Sequence, residues 1–182
     1  MSYNKLKSLV ANVEAIKTAL QIHIQGRQAT PKEKETLSLY SGFGGIKEVL
    51  NIGTDKPVGG DMAEPIQKLQ ELIDTYPHFT EPMRHNVMEA VKASVLTAFY
   101  TPKFLVEAVA KQIHTTFKDN GLEMRSFLEP SVGIGGFLPV AMPNTYDYAI
   151  EKDPISGLIL SLLHDNTVTR TTGFETIDEQ RF

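Results

Sequence analysis

The sequence contains no cysteine. That absence excludes a disulfide scaffold, thiolate zinc sites, iron–sulfur clusters and a cysteine nucleophile in one step. No uninterrupted apolar run approaches the ~20 residues a membrane span requires, and the opening Met1-Ser2-Tyr3-Asn4-Lys5 lacks the apolar centre of a signal peptide. A cytoplasmic protein with no membrane partner is therefore expected. Excess charge is scarce as well. With 18 Lys and Arg against 22 Asp and Glu, the formal charge is −4, so no global field draws the chain onto nucleic acid and DNA contact needs a local patch or another segment. The histidines, His23, His78, His85, His114 and His164, show neither H-x-x-x-H nor H-E-x-x-H spacing, and no metal site is expected. Ser131 lacks the flanking glycines of a G-x-S-x-G nucleophile elbow.

What is present suffices for a core: 41% of 182 residues are hydrophobic, enough for one domain or a domain with a helical appendage. The first hundred residues read as helical. Leu6, Leu9, Val10, Val13, Ile16, Leu20 and Ile24 recur at threes and fours, the period of one buried helix face, with Gly26 as the stop. Thr30-Pro31, with Glu33 three residues after Thr30, announces a second helix to about Tyr40, followed by Ser41-Gly42-Phe43-Gly44-Gly45. Residues 51–62 carry four glycine or proline breakers and read as a loop. Helices are expected from Glu64 to Tyr76 and from about Glu81 to Leu96, the latter with Met83, Val87, Met88, Val91 and Val95 on its apolar face.

After Thr101-Pro102 the texture changes to alternating helix and strand. Thr101 is read as the cap of a helix to about Phe117, ended by Asn120-Gly121. Strands are expected at Ser126–Glu129, Tyr146–Glu151 and Thr167–Thr172, with a helix starting at Asp153-Pro154 between the last two. This is the opening of a doubly wound α/β sheet. The expected organisation is a helical lobe over residues 1–97 and an α/β half-domain over residues 98–182.

The stretch richest in chemistry is Leu128-Glu129-Pro130-Ser131-Val132-Gly133-Ile134-Gly135-Gly136-Phe137, read as lying between a strand and a helix. Glycines there let backbone approach a ligand, and a helix start offers free N–H groups. The dinucleotide pattern G-x-G-x-x-G fails at its third glycine, where Leu138 stands. Glu151, at the end of the second strand, can accept hydrogen bonds from both hydroxyls of a ribose. Together these features indicate a nucleoside-containing cofactor without requiring a diphosphate.

Ala98-Phe99-Tyr100-Thr101-Pro102, then Glu129-Pro130-Ser131-Val132-Gly133-Ile134-Gly135-Gly136-Phe137, then Ile150-Glu151-Lys152-Asp153 resemble, in order, the first cofactor motifs of N6-adenine DNA methyltransferases. The resemblance implies a Rossmann-like fold that binds S-adenosylmethionine. The F-Y-T-P segment (Tyr100, Thr101, Pro102) would close over the methionine end of the cofactor. The loop bearing Glu129, Pro130, Ser131, Gly133, Gly135 and Phe137 would lie beneath it, and Glu151 with Lys152 would sit at the ribose. Tyr40-Ser41-Gly42-Phe43-Gly44-Gly45 and Gly173-Phe174-Glu175 are similar to segments of the large methylase–helicase proteins of phages and conjugative elements, the DarB-like antirestriction group. That implies a bacterial or mobile-element origin, a parent protein with helicase and catalytic regions, and DNA as a partner held by segments outside this chain.

Two departures from the family stand out. Its Asp-Phe pair after the third strand is replaced by Gly173-Phe174-Glu175, so Phe174 supplies a ring for the adenine while the acid follows the ring as Glu175 instead of preceding it. Its catalytic motif, Asp or Asn followed by Pro-Pro and an aromatic residue, is absent, because no Pro-Pro pair occurs anywhere. The expectation is thus a methyl-donor portion of about three strands, inactive alone and with no catalytic residue. The first strand should present an unpaired edge through which two copies could pair.

Each motif also has a plainer reading. The glycine stretch could be a tight turn without ligand, Glu151 a solvated acid at a helix start, Tyr40–Gly45 a packing turn and Phe174 a core residue. A non-catalytic module that binds protein or DNA, with a vestigial pocket, is the alternative function.

Overall fold

The first two helices start on side chains suited to that task. Asn4 accepts a hydrogen bond from the Lys7 amide and opens α1 (Lys5–Gln25), which stops at Gly26 in the left-handed conformation. Thr30 and Glu33 form the expected capping box at the start of α2 (Pro31–Leu37), with Thr30 N–H donating to Glu33 Oε2 at 2.8 Å. The computed structural model describes residues 4–165 and 167–177. The chain divides into two compact units, Met1–Phe99 and Tyr100–Phe182.

The first unit is all helical among the described residues. Helices α3 (Ala63–Thr75) and α4 (Glu81–Thr97) follow α2, with a short 3₁₀ turn at Lys47–Asn51 leading into the stretch read as a loop and another at Gly60–Met62 inside it. The buried stripe of α1 is wider than its periodicity indicates. It includes Asn12, Ala15, Ala19 and Ile22, whereas Val10 and Ile24 are exposed. In α4, Val87, Val91, Ser94 and Val95 are buried and Met83 is exposed. Helix α2 ends at Leu37, three residues short of Tyr40. The residues after it are claimed by tertiary packing, since Leu37, Tyr40, Phe43 and Ile46 are all buried.

The second unit begins with α5 (Lys103–Asp119), then β1 (Ser126–Glu129), β2 (Tyr146–Glu151), α6 (Pro154–Leu163) and β3 (Val168–Thr171). Both strand pairs are parallel and β2 is central. Thr101 does not cap α5: the N-cap position is Pro102, and no side chain bonds to the helix start. Asp153 does cap α6, accepting from the Ser156 amide at 2.6 Å. The helix expected after the glycine stretch is reduced to one 3₁₀ turn, Leu138–Val140. Pro143 explains it: a proline there bars Met142 from the helical region and removes a backbone donor, so no helix can run on from Leu138.

The in-register row Glu129–Ala149–Thr169 lies on the sheet face that α6 covers, where Ala149 is fully buried with Val132, Leu138 and Leu160. The adjacent row Leu128–Tyr148–Val168 points the other way, and both Leu128 and Val168 are exposed. The outer edge of β1 has no strand neighbour among the described residues. No helix among them is long and apolar enough to cross a membrane.

Candidate functional site at the strand ends

Parallel strands deliver their carboxyl ends to one side of a sheet, and open α/β sheets bind ligands there. In the second unit the turns after all three strands carry residues expected at the site: Glu129 to Phe137 after β1, Glu151 to Asp153 after β2, and Gly173 to Glu175 after β3.

The turn after β1 is knotted by its own backbone. The Val132 amide donates to Ile150 O at 3.1 Å, and Gly135 N–H returns to Val132 O at 2.9 Å. Gly133 (φ +58°) and Gly135 (φ +96°) both have positive φ, which disfavours any other residue. Each is also crowded. A Cβ on Gly133 would lie 2.7 Å from Tyr100 Cε1, so the Tyr100 ring rests on this glycine. A Cβ on Gly135 would lie 2.8 Å from His164 Cδ2, closer still to Nε2, and 2.9 Å from Leu138 Cδ1.

Glu151 ties this turn to β2. Its Oε2 accepts from Gly133 N–H and its Oε1 from Asp153 N–H, both at 2.8 Å. Burial pushes its carboxyl above the ordinary range, opposed by these two amide bonds. Asp153, two residues further along, is also pushed up by burial. Its Oδ1 caps α6, while its Oδ2 is buried without a hydrogen-bond partner. The Tyr100 hydroxyl faces Ser156, Glu151 and Asp153, and loss of water pushes the phenol up to about 12. Gly157 lets α6 approach β3, because a Cβ there would lie 2.5 Å from Thr171 Oγ1.

The remaining expected residues occupy varied positions. Glu129 accepts from Ser131 N–H at 3.3 Å. Pro130, Ser131, Thr101 and Pro102 are exposed. Phe137 packs inward against Val106, Ala110 and Val140. Lys152 pairs with Glu175 at 2.9 Å on the surface, and this ammonium holds the Glu175 carboxyl below its ordinary value. Phe174 is half exposed beside that pair. No family model, curated protein or solved structure matches the chain.

Sequence reasoning missed His164, whose Nε2 bonds Ile134 O at 3.0 Å and so pins the glycine turn from the far end of α6. A lone histidine 30 residues away carries no periodic or motif signal. Ser156 and the orphaned oxygen of Asp153 were likewise invisible, although Asp153-Pro154 was legible as a helix start. Among the described residues, no group of three His, Asp or Glu side chains is arranged to hold a metal ion.

The assembled site is rich in acceptors. Glu151 and Asp153 converge on it, Lys152 beside Glu151 in the chain is committed to Glu175, and no α-helix starts at the glycine turn to favour an anion. Such a site suits a ligand that donates hydrogen bonds or carries positive charge, and it opposes a diphosphate.

Proposed function

We propose that residues 100–177 bind S-adenosylmethionine as the methyl-donor portion of a Rossmann-like, N6-adenine-specific DNA methyltransferase. The observation that carries the reading is the Glu151 carboxylate at the end of β2, joined through Gly133 N–H to a glycine turn on which Tyr100 rests. A carboxylate offers about four lone-pair sites. Two are used by backbone amides, which leaves capacity for the two hydroxyls of a ribose. An acidic, donor-seeking site fits a neutral ribose and a sulfonium better than it fits the pyrophosphate of a nicotinamide cofactor.

In this reading Glu151 orients the ribose, Tyr100 closes over the glycine turn and excludes water, and Phe174 offers its exposed ring to the adenine. Bound S-adenosylmethionine supplies an electrophilic methyl group for an amine acceptor. The sequence has no Pro-Pro pair, so no residue of this chain is assigned to activating that amine, and contact with DNA is assigned to other segments or chains. Bacterial antirestriction, a role in a mobile element and a helicase-bearing parent protein stand with the same proposal.

Calorimetric titration of the full chain tests it. S-adenosylmethionine and S-adenosylhomocysteine should give saturable heats that Glu151→Ala and Gly133→Leu abolish while the chain stays folded by circular dichroism, and NADH should give none. Absence of heat from the folded parent chain at high micromolar ligand would refute the reading. One observation favours the alternative, a non-catalytic interaction module: the glycine turn is already complete, with both Glu151 oxygens bonded to backbone amides and Tyr100 in place. That outcome would leave the exposed row Leu128–Tyr148–Val168 and the edge of β1, a route to self-association, as the surfaces to investigate.

A further inference from the structure

Strand β1 lies at one side of the three-stranded sheet, and its free edge has a definite chemical pattern. In a parallel ladder, alternate residues turn both N–H and C=O toward the same neighbour. Arg125 O accepts from the Tyr146 amide at 3.1 Å, so Arg125, Phe127 and Glu129 spend their backbone groups on β2. Ser126 and Leu128 therefore turn theirs to the free edge, and both residues are exposed. Outward donors and acceptors in a row are a template for another strand. Its ends are marked: Pro130 has no N–H to offer, and Met124 O already accepts from Thr145 Oγ1 at 3.2 Å.

A second copy of the chain fits this template in one register. Antiparallel pairing about a two-fold axis is the arrangement that closes at two copies. Outward residues must face outward residues. Setting Ser126 against its own copy brings Glu123 opposite Glu129 of the second copy, two like charges. Setting Leu128 against its own copy puts Ser126 opposite Pro130, which cannot donate. Setting Ser126 against Leu128 pairs every outward N–H and C=O of both strands and brings Arg125 opposite Glu129 on each side of the axis. Arg125 is exposed, and one Glu129 oxygen accepts from the Ser131 amide, which leaves the other for a guanidinium. These opposite pairs are the kind that exchange no backbone hydrogen bonds, in which side chains come closest. The far edge, β3, lacks this match, because its one charge, Arg170, would meet an uncharged residue or its own copy.

We propose that the chain pairs with a second copy of itself through β1, antiparallel about a two-fold axis at Phe127, to form one continuous sheet in the order β3-β2-β1-β1-β2-β3. The axis is perpendicular to the sheet, because paired residues share a face. It keeps both α6 helices on one side and joins the two open rows Leu128–Tyr148–Val168 into one apolar face on the other. All of the residues involved belong to the second unit, and S-adenosylmethionine has no part in the pairing. An edge of this length makes a weak dimer, with a dissociation constant on the order of 100 µM, as suits an interface below the ~1,200 Å² of stable complexes.

Sedimentation velocity of the full chain, from well below to well above that concentration, should show a monomer–dimer equilibrium. Arg125→Glu and Glu129→Arg should each weaken it about tenfold or more, by turning attractions into repulsions, and the double variant should restore it. The register is read with cysteine, since the sequence has none. Ser126→Cys mixed with Leu128→Cys should give the mixed disulfide on mild oxidation, because their Cα atoms lie ~5.5 Å apart across the axis. Neither variant alone should cross-link, since each residue is ~8–9 Å from its own copy, beyond the ~7 Å a disulfide spans. Leu128→Pro, whose lost N–H points away from β2, should stay folded by circular dichroism and monomeric; if it does not fold, the exposed Arg125→Glu decides. A chain that stays monomeric throughout, charge variants that leave the dimer intact, a double variant that fails to restore it, a folded Leu128→Pro that still dimerises, or a disulfide between two copies of one variant in place of the mixed one would overturn the proposal.

Discussion

Replacing Gly135 by alanine tests the claim that the glycine turn is held from outside by His164. Two separable costs are expected. The first is intrinsic: at φ +96° an L-residue is strained by about 1–2 kcal/mol wherever it sits. The second is local. The new methyl would meet Leu138 Cδ1 at 2.9 Å and the His164 ring closer still, so the imidazole must swing away. Doing so breaks the 3.0 Å bond from His164 Nε2 to Ile134 O, worth about 1 kcal/mol, and residual crowding against Leu138 adds a similar amount. Gly135→Ala should therefore destabilise the protein by about 3–4 kcal/mol, a large share of the about 5–15 kcal/mol by which domains are stable. Urea unfolding followed by far-ultraviolet circular dichroism gives the single-variant figure, and a double-mutant cycle with His164→Ala separates the parts. In the His164→Ala background the same substitution should cost about 1–2 kcal/mol less, because the clash and the broken bond are already gone. A coupling energy indistinguishable from zero would show that His164 does not hold the turn.

Two further predictions concern protons. The Arg27 guanidinium, 2.5 and 2.8 Å from the two oxygens of Glu33, together with Thr30 holds that carboxyl down at about 2, below its ordinary 4.5. Its folded value lies below its unfolded one, so its contribution is present above pH 4.5 and is lost as pH falls toward 2; urea midpoints measured across this window should fall with pH, and Glu33→Gln should flatten that part of the profile. Glu151 has the opposite sign, being raised by burial. A ligand donating hydrogen bonds to its ionised form must lower it again, so binding near the carboxylate range should release protons and tighten as pH rises; calorimetry in buffers of different ionisation heat would show no linked protons if the ligand avoids Glu151, and uptake if it buries the carboxyl without donating to it.

Much of the architecture was legible because it is written in local chemistry. Ser126–Glu129 and Tyr146–Glu151 are the strands the sequence indicates, residue for residue, since turn formers bound them and β-formers fill them. The Thr30–Glu33 capping box, the Asp153 cap and the stop at Gly26 were readable for the same reason. The failures have different causes, some local and some tertiary. Thr101 looked like a cap, but α5 starts one residue later with Pro102 at its N-cap. The glycine stretch looked like the entrance to a helix, but Pro143 cut that helix to a single turn. Asn12 sat in an apolar period as an interruption, and only the fold reveals that it binds a loop 30 residues away. The site was legible in outline through Gly133 and Glu151, whereas Tyr100's seat on Gly133 and His164's hold on Ile134 depend on tertiary geometry that no spacing encodes.

The missing helix also bears on which ligand the turn can serve. A glycine turn that opens a long helix presents several unpaired N–H groups and a positive dipole end, and it is suited to phosphate. Here a 3₁₀ turn of three residues follows, and the Gly133 amide that a phosphate would need is already bonded to Glu151. The turn has exchanged anion affinity for attachment to an acid. That exchange makes Glu151 both a brace and an acceptor beside the glycines. The two roles are compatible, because the amides approach each carboxylate oxygen from one side and leave lone pairs on the other. It follows that Glu151→Gln, which puts a donor where one amide now donates, should disturb the turn more than loss of charge alone would. A ligand effect of Glu151 must therefore be read from the proton balance of the unaltered protein as well as from its variants.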